Sequence, residues 1–353
     1  MKNLKPFREQ IDALDVKIVK LLNERAKCAV EIGKIKQAEK KEVFVPAREK
    51  EVIKNVTLSN AGPLKNSSLE AIYTEIMSAS RGLETEINVS YLGPEATFSF
   101  QAAHKFFGAG VNYNAAQNPV EALKDVENSR ADFAVVPVEN SNEGTVNITL
   151  DMLINTRLAI CGEITLEISH CLLSNAAPKN IKKIYSHPQA LAQCRQWLSK
   201  HYPNAELFET SSTSAAVKHI TKDKHGAAVA SKAASSLYSV KLLSQNIQDT
   251  ENFTRFFVIG STCAKPTGND KTSVAFIIKD KVSALSNVLT IFARHKINLT
   301  KIESRPTKQK LGEYVFFIDF QGHKYDKHIV KLLHDFEKKC LFLKILGSYP
   351  KSS

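Results

Sequence analysis

Residues 251–260, ENFTRFFVIG, place polar side chains directly before an apolar, strand-like segment. Glu251, Asn252, Thr254 and Arg255 include groups that donate protons or bind carboxylates. In open α/β sheets, ligands bind at such strand ends, where polar groups face a crevice. The alternative is a polar turn before an ordinary core strand.

A cation interrupts an apolar stripe near the start of the chain. Apolar residues recur at heptad spacing over residues 4–35, and Arg25 takes a position where leucine is expected. A buried guanidinium is costly unless an anion or hydrogen-bond acceptors meet it, although it could also extend from the stripe into water. Lys36 follows on the same face, roughly 16 Å away. The pair could therefore converge on one small dianion.

The composition predicts a soluble, cytoplasmic protein. The 353 residues suffice for two or three domains, and 43% apolar and 24% charged residues are ordinary values. No stretch approaches the roughly 20 apolar residues of a membrane span. The N-terminal residues lack the apolar segment of a secretory signal.

The charge and the cysteine spacing indicate which classes of ligand to expect. The net charge of +12 favours anions, but the basic residues are dispersed and no nucleic-acid motif occurs, so small anions are a better prediction than nucleic acid. We expect reduced thiols, no metal and no bound cofactor, because the cysteines lack metal-ligand spacing. The cysteines are Cys28, Cys161, Cys171, Cys194, Cys263 and Cys340.

The first 86 residues predict three helices, at 4–40, at 46–58 and from Leu69. A long helix needs a partner to cover its apolar stripe. Arg8 lies roughly 25 Å before Arg25 on a different face, so it could serve only a site on another chain. Both arguments predict an intertwined dimer.

This segment resembles the all-helical chorismate mutases in FREQIDALDVKIVKLLNERAKCAVEIGKIK, VPAREKEVI and EIMSASRGLE. Val45 stands where some members have aspartate, and Glu84 where others have glutamine. The resemblance implies an active site formed by Arg25, Lys36, Arg48, Glu49, Ser80 and Glu84, with Arg8 supplied by the partner subunit.

The implied reaction suits these residue types. Chorismate rearranges to prephenate without a nucleophile, so catalysis requires a dianion to be held in one conformer, with cations near the oxygen that gains charge. We hypothesise that Glu84 is protonated and donates a hydrogen bond to the ether oxygen. Mutase turnover should then fall as pH rises.

Residues 88–260 change to α/β alternation, with strands at 87–92 and 131–138 and a helix at 97–107. A weak repeat at an offset of 94 residues, as in Tyr91 and Tyr185, predicts two similar lobes facing a cleft. The polar turns GPEATFS, PVENSNEGT, SHPQ and TSSTS follow strands of both lobes.

These turns, with TRFFVIG, resemble prephenate dehydratase and imply a two-lobed fold similar to periplasmic binding proteins. Ala96 replaces a common glycine. The reaction expels a carboxylate and a ring hydroxyl together, so it needs a donor to the hydroxyl and a clamp for the other carboxylate. The resemblance implies that Thr254 is the donor. It implies substrate contacts from Thr97, Asn140, Ser141, Thr145, His187, Gln189 and Arg255.

The Thr254 hydroxyl is weakly acidic and needs a group that polarises it. Glu139 and His187 are the candidates. His187 is equally well explained as the cap of a helix that begins at Pro188.

The last segment follows a polar linker at 261–271 and predicts a βαββαβ, ferredoxin-like domain. It resembles the ACT domain of dehydratases, most closely in KINLTKIESRPTK; that version binds phenylalanine at a dimer interface and inhibits the enzyme. Ser283 stands where glycine is usual, which could weaken phenylalanine binding. A dimerisation domain without ligand is the alternative. The implied phenylalanine contacts are Ser283, Ala284, Leu285, Asn298, Leu299, Glu303, Ser304 and Arg305.

The sequence thus predicts an all-α mutase domain (1–86), a two-lobed α/β dehydratase domain (88–260) and an α+β ACT domain (272–349). The expected enzyme converts chorismate through prephenate to phenylpyruvate under phenylalanine feedback, as a homodimer or higher homo-oligomer, without nucleic-acid or membrane partners. The alternatives are a dehydratase that prefers arogenate and a non-catalytic amino-acid sensor of the same architecture.

Overall fold

The computed structural model describes residues 4–39, 44–262, 264–307 and 313–352; Lys40, Cys263 and Lys308 of the motifs above lie outside these ranges. The chain divides into two compact units. The helical unit is Met1–Ile87 with Phe106–Asn112, and the sheet unit is Asn88–Lys105 with Tyr113–Ser353. The three predicted domain boundaries stay a prediction.

The helical unit contains α1 (Lys5–Ala38), α2 (Pro46–Leu58) and α3 (Asn66–Glu84). The first two have proline in their first turn, where no backbone N–H is needed. Gly33 of α1 is buried against α3, and a Cβ at this position would lie 2.9 Å from the Glu84 Cγ. Glycine therefore allows the two helices to approach closely.

The apolar stripe of α1 is exposed along this chain. Phe7, Ile11, Leu14, Ile18 and Leu21 are 63, 56, 48, 51 and 63% exposed. An apolar surface of this extent is unusual for a soluble monomer and indicates an interaction surface.

Residues 88–352 contain, in chain order, β1 (Asn88–Leu92), α4 (Phe98–Phe107), β2 (Asn112–Ala116), α5 (Pro119–Glu127), β3 (Phe133–Asn140), β4 (Gly144–Thr145), α6 (Asn147–Asn155), β5 (Ala159–Glu167), β6 (Cys171–Leu173), β7 (Lys183–Ser186), α7 (Pro188–Gln193), α8 (Arg195–His201), β8 (Glu206–Glu209), α9 (Thr213–Ile220), β9 (Gly226–Ala230), α10 (Lys232–Leu237), β10 (Leu242–Ser244), β11 (Phe253–Gly260), β12 (Asp270–Ile277), α11 (Ala284–Arg294), β13 (Leu299–Pro306), β14 (Tyr314–Gln321), α12 (Lys327–Glu337) and β15 (Phe342–Pro350). A short 3₁₀ helix lies at Pro178–Asn180. The strand predicted at 131–138 begins two residues late, because the backbone N–H of Ala131 donates to the Asp125 carbonyl in a turn.

Two lobes repeat one arrangement. The first lobe is a sheet of order β2-β1-β3-β11-β5, with β4 on β3, and the second has the order β10-β6-β9-β7-β8. The strands β2 and β8 begin at Asn112 and Glu206, and the helices α5 and α9 begin at Pro119 and Thr213, each pair at the predicted offset of 94 residues. The prediction of two similar lobes is confirmed.

Two crossing segments, residues 168–170 and 245–252, connect the lobes and run side by side. The Ile168 N–H donates to the Asn252 carbonyl at 2.7 Å, and the Ile247 N–H donates to the His170 carbonyl at 3.0 Å. Side chains on these two segments therefore lie between the lobes.

The last four strands form an antiparallel sheet of order β13-β14-β12-β15, and the predicted ferredoxin-like fold is confirmed. One face packs on α11 and α12, for example Phe276 on Phe336. The other face joins the core of the first lobe, where Phe317 and Leu346 belong to the same cluster as Phe257. This four-stranded sheet and the first lobe therefore share one hydrophobic core.

Candidate active sites

A polar cluster lies between α1 and α3 of the helical unit. The Arg25 Nη1 donates to the Ser80 Oγ at 2.7 Å, and that hydroxyl donates to the Ile76 carbonyl at 2.8 Å. The Lys36 Nζ lies 3.4 Å from the Glu84 Oε2. Arg25 thus points to a hydrogen-bond acceptor on α3 and does not extend from the stripe into water.

Glu49 joins this cluster from α2. Its Oε1 lies 3.0 Å from the Nη1 of Arg81, a buried residue of α3 that stacks over the Phe44 ring at 4.7 Å. Burial raises the pKa of Glu49 to about 7, although the nearby charges of Arg81, Lys36 and Arg25 lower it. The cluster therefore holds a carboxyl that changes charge near neutral pH.

Two of the expected residues lie outside the cluster. Arg48 pairs with Glu51 at 2.7 Å, and both side chains are exposed; Arg8 is also exposed on α1. The structure brings together Arg25, Lys36, Glu49, Ser80 and Glu84. Arg81 was not predicted from the sequence, although it is a cation next to Ser80 on a helical face that otherwise carries small and apolar residues.

An interlobe cavity of about 910 Å³ lies in the sheet unit. This volume suits a small-molecule site. The cavity is lined from both lobes and the crossing segments by residues that include Thr97, Phe98, Asn140, Glu143, Thr145, His170, His187, Gln189, Gln193, Lys218, Asn252 and Thr254.

Thr254 is 8% exposed, at the start of β11. Because β11 pairs with β3, Thr254 lies opposite Asn140. The Asn140 Nδ2 donates to the Thr254 Oγ1 at 2.8 Å and to the Asn252 Oδ1 at 2.7 Å. The expected proton donor therefore has an amide as its immediate partner.

Neither candidate polarising group is placed beside Thr254. Glu139 pairs with Lys301 at 3.0 Å and is not among the cavity residues. His187 lines the cavity and caps α7, where its Nδ1 accepts the Gln189 N–H at 3.4 Å. The structure supports the cap and places Asn140 in the polarising position.

Arg255 does not reach the cavity, contrary to the expected carboxylate contact. Successive side chains of a strand point to opposite faces, and that of Arg255 points away from the Thr254 face. Its Nε donates to the Glu163 Oε2 at 2.8 Å, its Nη1 to the Asp319 Oδ2 at 2.5 Å and its Nη2 to the Tyr349 hydroxyl at 2.9 Å. These carboxylates and the tyrosine already satisfy its charge and donors.

Ser141 is also outside the cavity lining: its Oγ accepts the Phe253 N–H at 3.0 Å and ties β3 to β11. The other expected substrate contacts line the cavity, namely Thr97, Asn140, Thr145, His187 and Gln189.

The cavity has a positive electrostatic bias. The first turns of α4 and α9 belong to its wall, and helix N-termini carry partial positive charge. The Ser212 side chain caps α9 by accepting the Ala215 N–H at 3.0 Å. Lys218 is the one lysine or arginine among the described lining residues. The sequence did not predict Lys218, His170 and Gln193 as cavity residues, because nothing in their local spacing separates them from surface or core residues.

The residues expected to contact phenylalanine lie in two segments, one at the start of α11 and one at β13. Ser283 precedes α11 with φ +64°, the left-handed conformation that glycine adopts freely, and Ala284 and Leu285 open the helix. Asn298 and Leu299 begin the β13 region, where the Asn298 carbonyl accepts the Gln321 N–H, and Ser304 is exposed.

Glu303 and Arg305 of β13 contact the first lobe. The Thr145 hydroxyl donates to the Glu303 Oε2 at 2.9 Å. The Arg305 Nη1 donates to the Asn147 carbonyl and lies 2.8 Å from the Asp151 Oδ1. In this arrangement both side chains are bonded to residues of the first lobe.

None of the described helices combines the length and the apolar character that a membrane span requires. Nor do three or more His, Cys, Asp or Glu side chains gather there in a way that could hold a metal ion.

Comparison with known families agrees with this architecture. Successive segments match chorismate mutase type II (residues 7–85), prephenate dehydratase (89–264) and the ACT domain (272–338). Fold and sites thus define a two-activity enzyme, an isomerase joined to a carbon–oxygen lyase, with an ACT domain.

Curated relatives and solved structures specify the family. The chain is 46% identical to the bifunctional chorismate mutase/prephenate dehydratase of Aquifex aeolicus, over 100% of this chain and 99% of the relative. It is 43% identical to that of Stutzerimonas stutzeri, over 99 and 98%. Prephenate dehydratase of Arthrobacter aurescens in complex with L-Phe superposes with a TM-score of 0.70 at 33% identity, over 75% of this chain and 90% of that chain. The chain belongs to the family of bifunctional chorismate mutase/prephenate dehydratases.

Proposed function

We propose that the cluster of Arg25, Lys36, Glu49, Ser80 and Glu84 isomerises chorismate to prephenate. Arg25 and Lys36 bind the carboxylates and stabilise the ether oxygen as its bond breaks. The support is the inward position of Arg25, which forms a hydrogen bond to Ser80 at 2.7 Å.

The interlobe cavity then converts prephenate to phenylpyruvate. The ring carboxylate leaves as CO₂, its bonding electrons enter the ring, and the ring hydroxyl departs with the C–O electron pair. Thr254 donates a hydrogen bond to this hydroxyl, which takes up a solvent proton and leaves as water. The observation that carries this proposal is the buried Thr254 hydroxyl in the cavity wall, 2.8 Å from the Asn140 amide.

The remaining carboxylate binds at the positive wall of the cavity. The first turn of α9 offers backbone donors, and Lys218 offers a charge. Arg255 is bound to Glu163 and Asp319 and takes no part in this contact.

Purified full-length protein supplied with chorismate, without added cofactor, should form prephenate and then phenylpyruvate. Thr254→Ala should reduce dehydratase kcat roughly 10²- to 10⁴-fold, because the donor is lost. Thr254→Ser should retain most activity. Mutase activity measured on the same samples is the folding control. Undiminished phenylpyruvate formation by Thr254→Ala would refute the role of Thr254.

Glu143 keeps the arogenate alternative open. Its carboxylate lines the cavity and is an acceptor of the kind that the arogenate amine would need. A competition assay with equal prephenate and arogenate measures the preference. If arogenate is preferred, Glu143→Gln should reverse the ratio.

The active form is proposed to be a dimer in which a second copy covers the exposed stripe of α1. That copy would also bring an Arg8 to the mutase cluster, which the Arg8 of the same chain cannot reach along one straight helix. Leu14→Glu should yield monomers in analytical ultracentrifugation and abolish mutase activity. A dimeric Leu14→Glu variant with full activity would contradict this arrangement.

Phenylalanine is proposed to inhibit the dehydratase through the ACT domain. One support is the prephenate dehydratase of Arthrobacter aurescens in complex with L-Phe. The other is the hydrogen bond between Glu303, one of the expected phenylalanine contacts, and Thr145 of the cavity wall. Glu303→Met should raise the phenylalanine concentration for half inhibition roughly tenfold, while mutase activity stays unchanged. A cytoplasmic location is also proposed, because the described cysteines are free thiols.

A further inference from the structure

A chain of hydrogen bonds leads from Thr254 across both crossing segments, and its donor directions are fixed at one end. The Asn140 Oδ1 accepts the backbone N–H groups of Asn142 and Glu143, at 3.0 and 3.2 Å. A backbone N–H can only donate, so the oxygen and the nitrogen of the Asn140 side-chain amide cannot be interchanged. The Asn140 Nδ2 must therefore be the group that faces Thr254 and Asn252.

The directions then follow along the chain. Both protons of the Asn140 Nδ2 are used, one on the Asn252 Oδ1 and one on the Thr254 Oγ1. With its Oδ1 accepting, Asn252 donates from its Nδ2 to the Gln193 Oε1 at 2.8 Å. The Gln193 Oε1 is thus an acceptor, and the His170 Nε2, 2.9 Å away, must carry a proton and donate to it.

His170 is the last member of this relay. The side chain is 3% exposed, and its ring lies edge-on to Phe98 with centroids 5.5 Å apart. Among the described residues its Nδ1 has no hydrogen-bond partner. A neutral ring with its single proton on Nε2 satisfies this environment, because it leaves no N–H without an acceptor. Burial lowers the pKa of His170, although the Gln193 hydrogen bond raises it, so the ring stays neutral near pH 7.

We propose that His170 is a positioning residue for dehydration, which fixes the amides of Gln193, Asn252 and Asn140 so that the Thr254 proton points to the substrate. The Thr254 oxygen accepts from Asn140, so its own proton remains available for the departing hydroxyl. A hydroxyl that accepts a hydrogen bond is also a stronger donor. This inference rests on the proposed role of Thr254.

The relay depends on the arrangement of the lobes. Asn140 belongs to the first lobe, Gln193 to the second, and His170 and Asn252 to the two crossing segments. Two further hydrogen bonds hold the lobes together: the Ser214 hydroxyl donates to the Glu95 carbonyl and the Ser231 hydroxyl to the Ala96 carbonyl, each at 2.9 Å. The donor direction of Thr254 is thus set only when the lobes approach as they do here.

Two substitutions separate this role from simple packing. His170→Phe keeps a ring against Phe98 but removes the donor to Gln193. His170→Gln loses the ring but can place an amide N–H near the position of the Nε2. We expect His170→Phe to lower dehydratase kcat roughly 10- to 100-fold, with KM for prephenate changed less than about threefold. His170→Gln should retain kcat within about fivefold of the unchanged enzyme.

The full-length chain carries its own folding control, because mutase activity should be equal in all three proteins. Equal losses of kcat in both variants, or an unchanged kcat in His170→Phe, would overturn the inference. An inactive Thr254→Ala beside a fully active His170→Phe would remove the inference and leave the proposed function standing. An active Thr254→Ala would remove both.

Nuclear magnetic resonance of ¹⁵N-histidine-labelled protein tests the tautomer directly. The His170 ring should show a protonated Nε2 and an unprotonated Nδ1 at pH 7. A proton on Nδ1 alone would contradict the donor directions of the relay, whatever the activities.

Discussion

Thr254 and Arg255 are consecutive residues of β11 whose side chains leave the strand on opposite faces. The Thr254 hydroxyl lies in the wall of the interlobe cavity, whereas the Arg255 guanidinium bonds to Glu163 of the first lobe and to Asp319 and Tyr349 of the ACT sheet. One peptide unit therefore joins the proposed catalytic donor to a buried ionic junction. Changes in the ACT sheet can reach Thr254 through this strand.

Arg255→Met should destabilise the sheet unit by about 3 to 5 kcal/mol, because it leaves the buried Asp319 carboxylate without its cation and leaves Glu163 with Lys271 alone. KM for prephenate should change little, since Arg255 does not reach the cavity. Thermal unfolding followed by calorimetry, with steady-state kinetics below the transition, measures both. A large increase in KM with unchanged stability would restore the carboxylate-binding role expected from the sequence.

The same ionic junction predicts that the sheet unit loses stability at low pH. Burial alone raises the pKa of Glu163, but Arg255 and Lys271 outweigh it and hold this pKa below its ordinary value. A carboxyl with a lowered pKa contributes stability above its unfolded-state pKa and loses it as pH falls through the folded-state value. Stability of the sheet unit should therefore decline below about pH 4.5, and Glu163→Gln should make this decline shallower.

The sequence was sufficient to predict the helices, the strands and some of the residues of the two candidate sites. Heptad spacing, the proline starts and the offset of 94 residues predicted the helices and the two lobes, because these depend on local periodicity. The prediction that Arg255 contacts the substrate carboxylate does not agree with the structure. Side chains alternate between the two faces of a strand, so Arg255 cannot share a face with the adjacent polar residue. His170 and Gln193 could not be found, since their role depends on two segments that meet only after the lobes fold.

Lys218→Met tests the positive wall of the cavity. Lys218 is the lysine of the described lining, and its loss should raise KM for prephenate roughly 10-fold, with a smaller effect on kcat. Lys222, one turn later on the same segment and outside the lining, provides the matched control. If both substitutions raise KM equally, the effect comes from net charge and not from a contact in the cavity.

Ser283→Gly should stabilise the ACT domain by about 0.5 to 1 kcal/mol. Ser283 is exposed and has φ +64°, a conformation that costs an L-residue more than glycine. Ser283→Val should have the opposite sign, because a β-branched residue is strained further. Calorimetry of the three proteins gives the order, and an equal transition temperature for all would show that the turn rearranges.

The pH dependence of mutase activity tests whether Glu49 or Glu84 is the carboxyl that titrates. Burial raises the pKa of Glu49 to about 7 in the unliganded cluster, so the side chain is neutral below that pH and anionic above it. An anionic Glu49 repels the dianionic substrate, so kcat/KM for chorismate should fall as pH rises through about 7. The fall approaches tenfold per pH unit if only the protonated form is active.

Glu49→Gln should flatten this descending limb because the amide cannot ionise, whereas Glu84→Gln should leave the limb in place. The sequence-based hypothesis that Glu84 is the protonated donor predicts the reverse, so the two variants separate the two assignments. Dehydratase activity of the same chains, measured with prephenate across the same pH range, is the control for folding. A limb that persists in both variants would mean that the titrating group belongs to neither carboxyl, and the raised pKa of Glu49 would then have no part in mutase turnover.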